Sequence, residues 1–451
     1  MDCYSVLTNK CPTTPNRGYG RMQHQFMLER MVDFMAKELE IPPHEVRMKN
    51  FVKKEDFPYE CTNGSLYDSG DYHECMRRAL AALDYEYWKK EQARAREEGR
   101  YIGVGVVSIM DPGATNFAVV GLLDNDIKLA VDGEAARVKL DPSGRAIITP
   151  GTWGMSHETI CTQIVADEFG IPFENVYVLP GVDSATHPVS GTSGVYGSRF
   201  AAMISGALHG ACGELKDKMV LIAAHLWRTS PEHLEFAEGR VQARGNPRQA
   251  MPMQQLIGIS LFNPAILPPG VTPGMESTFI YNYPKAGPRD EQQRTNYAAT
   301  FANVVHAAAI EIDPLSGSYK VLKYVVVHDA GTLINPMVVD GQVHGATAHS
   351  LGSAMMEEFV YDEDGQHLTG SFNEYLCPKF TDVPDMQVEH LCSPSPFTAY
   401  GVKGMGEGGG PGPALIAQAI EDALGDPSLE ITSSFNPPEK VFRMMQGRGR
   451  R

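Results

Sequence analysis

The sequence predicts an α+β chain built around two related α+β subdomains. Two stretches, 134–149 and 304–329, each read as strand, tight turn, strand. Their turns, Asp141-Pro142-Ser143-Gly144 and Asp313-Pro314-Leu315-Ser316-Gly317, both open on Asp-Pro and close on Gly. A helical pattern follows each pair, at Thr159 to Phe169 and at Gly341 to Phe359. The length adds the third observation: 451 residues exceed one simple core and suit two or three domains.

Taken in order, Val6 to Lys10 reads as the end of a strand, and Pro12, Pro15 and Gly18 break the chain at once. Phe26, Met27, Met31, Phe34 and Met35 recur near the helical period, which predicts a helix from about Gln23 to Leu39. These methionines, with Met355 and Met356, are expected in the core. Ile41 to Arg47 reads as a turn between helices, and Asp71 to Glu97 as one helix with a highly charged end. From Tyr101 the texture changes. Ile102 to Ile109 and Glu134 to Leu140 alternate as strands, and Arg145 to Thr149 returns beside the second. The helix Thr159 to Phe169 is stopped by Gly170-Ile171-Pro172, and Val176 to Leu179 is a further strand. Arg199 to Arg228 is a long helix rich in small residues, suited to close packing. Arg240 to Thr300 has little periodicity and is long for a loop, so short elements or a functional surface are expected there. Ala414 to Leu424 is a last helix-former run.

Lys and Arg number 39 against 55 Asp and Glu, a net charge of −16, which disfavours nucleic acid or an anionic membrane as partner. The basic end, Arg448, Arg450 and Arg451, reads as a frayed tail. No stretch approaches the roughly 20 apolar residues of a membrane span. Met1-Asp2-Cys3-Tyr4 lacks the layout of a secretory signal. The cysteines form no C-x-x-C pair, which disfavours zinc ribbons and iron–sulfur clusters held within this chain. Reduced thiols in a cytoplasmic protein are the expectation.

Chemistry concentrates in glycine turns. The stretch Gly401 to Ala414 places one carboxylate, Glu407, among glycines, with no other acid within ten residues on either side. Glycines let a backbone approach a ligand closely, and the helix start that follows favours an anion. A lone carboxylate held dry gains proton affinity, which suits a general base beside an anionic cofactor. The same residues also describe a flexible loop with a solvated Glu. Three more small-residue turns are Pro15-Asn16-Arg17-Gly18-Tyr19-Gly20, Gly151 to Thr159, and Gly191 to Arg199. The last two, like the Glu407 loop, lead into helices. Together the turns suggest an extended anionic cofactor wrapped by distant segments. No G-x-G-x-x-G opens a βαβ unit and no G-K-[ST] occurs, so dinucleotide and Walker-type sites are disfavoured. His306, His328, His344 and His349 lack paired-ligand spacing and read as core or hydrogen-bonded histidines. Asp183 to His187 lacks the elbow turn of a serine hydrolase.

These turns, in this order, resemble the molybdenum-cofactor-binding subunit of the xanthine oxidase family, which includes aldehyde oxidoreductases and the large chain of aerobic carbon monoxide dehydrogenase. The matching stretches include Leu7-Thr8-Asn9-Lys10, Arg17-Gly18-Tyr19-Gly20, Ser156-His157-Glu158-Thr159, Gly197-Ser198-Arg199, Val327 to Pro336, Gly341-Gln342-Val343-His344-Gly345 and Gly401 to Gly408. The similarity runs from about residue 4 to 445. It implies residues 1–100 as the end of a first molybdopterin-binding domain, completed by a partner chain, and 101–451 as a second.

The resemblance implies that Glu407 is the active-site glutamate, which takes a proton so that a water-derived oxygen attacks an electrophilic carbon of an aldehyde, an N-heterocycle or a related compound. It places Asn16, Arg17 and Gly18 beside the molybdenum, Met155 and Ser156 on the loop touching the pterin, and His349 where relatives hold the pterin with a glutamine. Lys403, Gly404, Met405 and Gly406 surround the glutamate. Gly191, Thr192, Gly197, Ser198 and Arg199 fall at the cofactor's phosphate-bearing end. The implied cofactor is a molybdenum-pterin, as molybdopterin or its cytosine dinucleotide, and no metal ligand is expected from the chain itself. Iron–sulfur clusters and FAD are expected only on partner subunits: a second molybdopterin-binding chain, an iron–sulfur subunit and a flavin subunit.

Three departures stand out. The family's earlier region, with a Phe-Gly-Gly-type loop over the metal, is absent, which gives the chain the look of the C-terminal half of a split subunit. Met155 and His349 replace amide side chains that donate and accept in fixed directions. Gly18-Tyr19-Gly20 lacks the cysteine that carbon monoxide dehydrogenase uses for copper. Two alternatives remain open: a molybdenum-dependent hydratase adding water to an activated C=C bond, and a non-catalytic scaffold half, against which the intact Glu407 argues.

Overall fold

The computed structural model describes residues 4, 6–12, 14–118, 133–188, 194–408 and 410–447. Residues 6–10 carry no strand. Helix α1 (Arg21–Glu38) follows the first glycine turn, and α2 (Pro43–Asn50) replaces the expected turn. Pro43 explains the difference, since proline at a helix's first position is already set for it. A two-residue hairpin, β1 (Tyr59–Glu60) and β2 (Leu66–Tyr67), comes next. The expected helix 71–97 is two, α3 (Tyr72–Leu83) and α4 (Tyr85–Glu97), split where Asp84 turns left-handed at φ 62°.

Beyond these come β3 (Tyr101–Thr115), β4 (Glu134–Leu140), β5 (Ala146–Pro150), α5 (His157–Phe169), β6 (Val176–Val178) and α6 (Phe200–Trp227). After β7 (Leu234–Ala237), the stretch 240–300 holds β8 (Arg240–Ala243), β9 (Asn246–Pro252), α7 (Met253–Phe262) and β10 (Glu276–Tyr281). The chain then forms β11 (Ala298–Ile312), β12 (Tyr319–Asp329), α8 (Pro336–Met355), β13 (Met386–Leu391), α9 (Gly412–Leu424) and α10 (Pro438–Met445).

The two four-stranded sheets share one wiring. Their orders are β10-β4-β5-β6 and β13-β12-β11-β3. In each, an antiparallel hairpin leads through a helix to a strand parallel with the hairpin's second member: β4–β5, α5, β6 and β11–β12, α8, β13. The Asp-Pro turns close both hairpins. Asp141 accepts the Ser143 N–H at 2.8 Å, and Asp313 accepts that of Leu315 at 3.0 Å.

The β3–β11–β12 sheet is covered on both faces. Val104, Val106, Val305, Ala307, Val325 and Val327 pack on α3, while Val107, Ile109, Val304 and Ala308 pack on α8 and α9. This is the period-two alternation of a strand with two covered faces. Gly103 sets the depth of α9: a Cβ there would lie 1.9 Å from the Ala419 carbonyl oxygen. The helix therefore lies directly on β3, and its start, with the Glu407 loop before it, meets the end of that strand. The other sheet is backed by α5 and α6, with Phe169, Ile204, Leu208 and Leu215 at its core. No helix among the described residues is long and apolar enough to cross a membrane.

Candidate active site

Several helix starts meet the glycine loop at one cleft. The turn before α5 runs through Gly154, Met155 and Ser156, with φ of 80°, 54° and 58°. Gly197 and Ser198, at 60° and 51°, lead into α6 in the same way. Left-handed backbone costs a non-glycine residue roughly 1–2 kcal/mol, and such strain clusters where a chain is held for a ligand. Between these turns, the start of α8 and residues 403–406 lies an open cleft whose lining includes Met155, His157, Ser198, Gln342, Met405 and Gly406.

His157 ties the starts of α5 and α6 together. Its ring stacks on Phe200 with centroids 3.4 Å apart, and Nδ1 accepts the Trp153 N–H at 3.2 Å. Nδ1 is therefore the unprotonated nitrogen. Burial brings this histidine down to about 4, so the ring is neutral at neutral pH.

The glycine loop is fixed on every side. The Lys403 N–H donates to the Ala330 carbonyl at 3.0 Å, and the Gly404 N–H to Thr300 Oγ1 at 3.1 Å. A Cβ on Gly404 would lie 2.0 Å from the Ser198 carbonyl oxygen, so only glycine lets this loop press against the turn before α6. From beneath, His306 on β11 donates through Nε2 to the Gly408 carbonyl (3.3 Å) and accepts at Nδ1 from the Tyr324 hydroxyl (3.0 Å). Burial lowers its pKa to about 4, which keeps the ring neutral in that role.

Glu407 sits in a buried cluster of charge. Arg21, the first residue of α1, brings Nη1 to 2.6 Å from Asp111 Oδ1 and 2.5 Å from Glu407 Oε2. Asp111, near the end of β3, is fully buried and accepts the Glu407 N–H at 3.0 Å and the Ser198 hydroxyl at 3.2 Å. Burial pushes Asp111 up to about 6 against the opposing pull of Arg21. The Glu407 side chain is 9% exposed. Arg17 clasps the loop from outside: Nε donates to the Gly406 carbonyl at 2.5 Å, and Nη2 to Gln342 Oε1 at 2.8 Å and to its carbonyl at 3.0 Å. Burial lowers the Arg17 pKa, while Asp111 and Glu407 oppose that.

A second cavity, of about 1020 Å³, opens on the other side of Arg21. Tyr19, Tyr67, Tyr297 and Phe301 supply its aromatic walls. Arg21 Nε and Nη2 and Gln25 Oε1 are buried without a hydrogen-bond partner among the described residues.

Most of the residues expected at the site converge here. Arg17 and Gly18 lie beside the loop, Met155 and Ser156 form the turn before α5, Gly197 and Ser198 the turn before α6, and Gly404, Met405, Gly406 and Glu407 the loop itself. Asn16 approaches His349, Nδ2 to Nε2 at 3.5 Å, beside rather than within the cleft. Two residues sit otherwise. Arg199 is fully buried, donates to the Gly133 carbonyl at 2.9 Å and lies 3.7 Å from Glu134, which ties it to the start of β4. Lys403 turns its ammonium inward to the carbonyls of Ser69 (2.8 Å) and Phe301 (3.1 Å), leaving only its stem along the cleft. Gly191 and Thr192 lie outside the described residues. Sequence reasoning missed Arg21, Asp111 and Gln342 as site residues, and read His306 as a core or hydrogen-bonded histidine without placing it under the loop. Asp111 left a signal: one acid ending an apolar strand, which burial tolerates only with partners.

Comparison with known proteins gives this geometry a family. A pattern described as a molybdopterin cofactor-binding domain matches residues 78–384, and a second pattern of the same description matches residues 1–51. The chain belongs to the molybdopterin cofactor-binding family, within the xanthine oxidase group. It is 30% identical over 445 residues to the nicotine 6-hydroxylase large subunit of Paenarthrobacter nicotinovorans, which covers 98% of this chain and 52% of that one. It is 31% identical over 412 residues to the carbon monoxide dehydrogenase large chain of Hydrogenophaga pseudoflava, covering 89% and 48%. The crystal structure of quinoline 2-oxidoreductase from Pseudomonas Putida 86 superposes with a TM-score of 0.85 at 32% identity, covering 98% of this chain and 54% of that one. The chain thus spans about half the length of the relatives it matches.

The cleft fits the group this family binds. Among the described residues, nothing accepts from the amides of Met405 and Gly406, which line the cleft with apolar side chains such as Ile160, Leu333 and Val338 opposite. Free N–H groups along a glycine loop that runs into a helix suit a flat, polar, anionic ligand such as a pterin with its phosphate.

Proposed function

We propose that this chain is the cofactor-binding and catalytic part of a molybdenum hydroxylase that uses water to hydroxylate an electrophilic carbon. One observation carries the reading. Glu407 is a nearly buried carboxylate whose loop neighbour Gly406 lines the cleft and whose ion-pair partner Arg21 lines the aromatic cavity. In the net reaction a C–H bond and a water become C–OH, two protons and two electrons. When bound, the molybdenum centre supplies the two-electron oxidation, and iron–sulfur and flavin groups on partner subunits carry the electrons away. Glu407 takes the proton from the attacking water as the C–O bond forms. Arg21 holds that carboxylate in place, Asp111 fixes its backbone, and Arg17 and His306 hold the loop from opposite sides. Arg17, Met155, Ser156, Ser198, Met405 and Gly406 would hold the cofactor, as molybdopterin or its cytosine dinucleotide. A second molybdopterin-binding chain would complete the site in a cytoplasmic complex.

The aromatic cavity favours a neutral, planar heterocycle. Four rings offer flat apolar walls. The Arg21 charge is already matched by Asp111 and Glu407, which disfavours a carboxylate substrate, while its spare N–H groups suit a neutral acceptor. The names of the nicotine- and quinoline-acting relatives point the same way. The test is dye reduction by the purified complex with neutral N-heteroaromatics, aldehydes and carboxylated heteroaromatics. Turnover with the first class, giving a product that gains one oxygen, supports the reading. Turnover with aldehydes alone overturns the substrate class, and a product that gains a whole water without dye reduction overturns the hydroxylase in favour of a hydratase.

A further inference from the structure

The cofactor cleft lies between the two α+β subdomains. Met155, His157 and Ser198 line it from the starts of α5 and α6. Gln342, Val402 and Met405 line it from the other subdomain, where residues 402 and 403 pair with 331 and 330 beyond the end of β12. The width of the cleft is therefore set by the ties between the two. One tie stands just before the glycine segment. Tyr400, two residues before Val402, reaches across and donates its hydroxyl to Glu168 near the end of α5. Glu168 also takes the ammonium of Lys216 and lies 2.7 Å from Nδ1 of His209, both on α6. Its side chain is 7% exposed. Burial raises the pKa of this carboxyl, but the bonds from Lys216, Tyr400 and His209 overcome that and hold it below the usual range, so it is a fixed negative charge. The His209 ring meets the Tyr400 ring edge-on with centroids 5.4 Å apart. A second tie joins the residue before α8 to α5, from Asn335 Nδ2 to Gln163 Oε1 at 2.9 Å.

We infer that Tyr400 is a positioning residue for the reaction, acting through Glu168: the clamp they form fixes the glycine segment against α5 and α6, and so sets both the width of the cofactor cleft and the reach of Glu407. The inference rests on the proposed function, which makes Glu407 the base. The backbone shows that the clamp holds the chain in a state it would otherwise leave. Tyr400 sits at φ 61°, a left-handed conformation disfavoured for any residue with a Cβ. Such a residue persists only where its surroundings over-determine it. Directly after it the chain is locked. The Gly401 carbonyl accepts the N–H groups of Thr332 at 3.1 Å and Ser395 at 3.0 Å, and the Thr398 hydroxyl donates to the Val402 carbonyl at 2.7 Å. A displacement at Tyr400 is thus carried along a stiff segment into residues 402–407. The bond to Glu168 is strong enough for this because its acceptor is ionised and nearly buried.

Amide hydrogen exchange and pterin retention test this on the purified complex. Tyr400→Phe keeps the ring against His209 and deletes only the hydroxyl. Exchange over residues 402–408 and loss of pterin to dialysis should each speed by about tenfold, the worth of one hydrogen bond to a charged group, while exchange in the buried middle of α6 holds. The kcat should fall roughly tenfold, short of what a full ångström of misplacement costs. The KM for the heteroaromatic should hold, because Tyr19, Tyr67 and Phe301 are untouched. Glu168→Ala should reproduce the pattern, and Glu168→Gln, which keeps an acceptor for the hydroxyl, should recover most of it. Unchanged exchange over 402–408 in Tyr400→Phe overturns the inference. So does faster exchange spread evenly over the chain with a lower melting temperature, which would make the clamp a strut only. Exchange and pterin loss are read without turnover, so a complex that shows both effects and reduces no dye counts against the hydroxylase and leaves the clamp standing.

Discussion

Two clusters of buried charge share helix α1, one at its first residue and one at its middle. In the middle, Arg47 donates to Glu29 at 2.8 Å, to Asp33 at 2.9 Å and to the Pro43 carbonyl at 3.0 Å. Arg30 reaches Asp33 at 2.6 Å and the Ile431 carbonyl at 3.1 Å, and Gln418 from α9 also bonds to Asp33. These groups join α1, α2 and α9 into one rigid unit. At the helix start the same chemistry is left incomplete. Arg21 bridges two carboxylates, yet Nε and Nη2 keep no hydrogen-bond partner among the described residues, and a cavity lies beside them. Arg30 Nη2 also lacks a hydrogen bond but lies 2.5 Å from Glu421, so the contrast is between a charge cluster packed among helices and one that lines a cavity.

The sharpest way to break this comparison is to remove one group from each cluster. Glu407→Gln should lower turnover by about 10²–10⁴-fold, the range of a lost general base, with the melting temperature and molybdenum content unchanged. Arg47→Ala should do the reverse. Leaving Glu29 buried and unpaired, with Asp33 held by Arg30 alone among cations, should cost about 3–5 kcal/mol in denaturant unfolding, with turnover per folded chain unaltered.

His328 gives a smaller, pH-dependent effect. Neither of its ring nitrogens has a partner among the described residues, and burial holds its pKa at about 3 against an ordinary 6.5. The unfolded chain therefore binds a proton at pH 5 that the folded chain refuses. The stability this site contributes is present above pH 6.5 and is lost as pH falls toward 3, amounting to about 2 kcal/mol at pH 5. His328→Leu should shrink the stability difference between pH 8 and pH 5 by about that much in chemical unfolding.

Asp111 should leave the mildest mark, on the pH–rate profile. Below about 6 it takes up a proton, and Arg21 loses one of the two carboxylate charges it bridges beside the loop. Turnover should decline through that region. Asp111→Asn should flatten the decline and lower the plateau, because the Glu407 N–H loses a charged acceptor. An unaltered acid limb would disconnect Asp111 from the base.

Much of the fold was legible because its signals are local. The Asp-Pro…Gly turns closed both hairpins, and the helix-former run after Glu407 became α9 starting at Gly412. The errors came where tertiary contacts decide. Asp84 splits a continuous helical pattern at one left-handed residue, and the α1 methionines follow a helical period that says nothing about which face is inside. At the site, the glycine turns located Arg17, Ser198 and Glu407, because glycine marks close approach. Asp111 and His306 sit on strands far from those turns, and their contact with the loop exists only after β3 and β11 pair. Lys403 and Arg199 stand in cofactor-facing stretches of the sequence, yet Asp68 and Glu134 draw their charges inward.

The most direct test of the account is the position of the Glu407 carboxylate in an experimental structure of the cofactor-loaded complex. The prediction is a carboxylate oxygen still against Arg21 and within one hydrogen bond, or one bridging water, of the molybdenum's reactive face, about 2.6–3.2 Å per contact. A Glu407 side chain turned to bulk solvent, or one separated from the pterin cleft by protein, would contradict it.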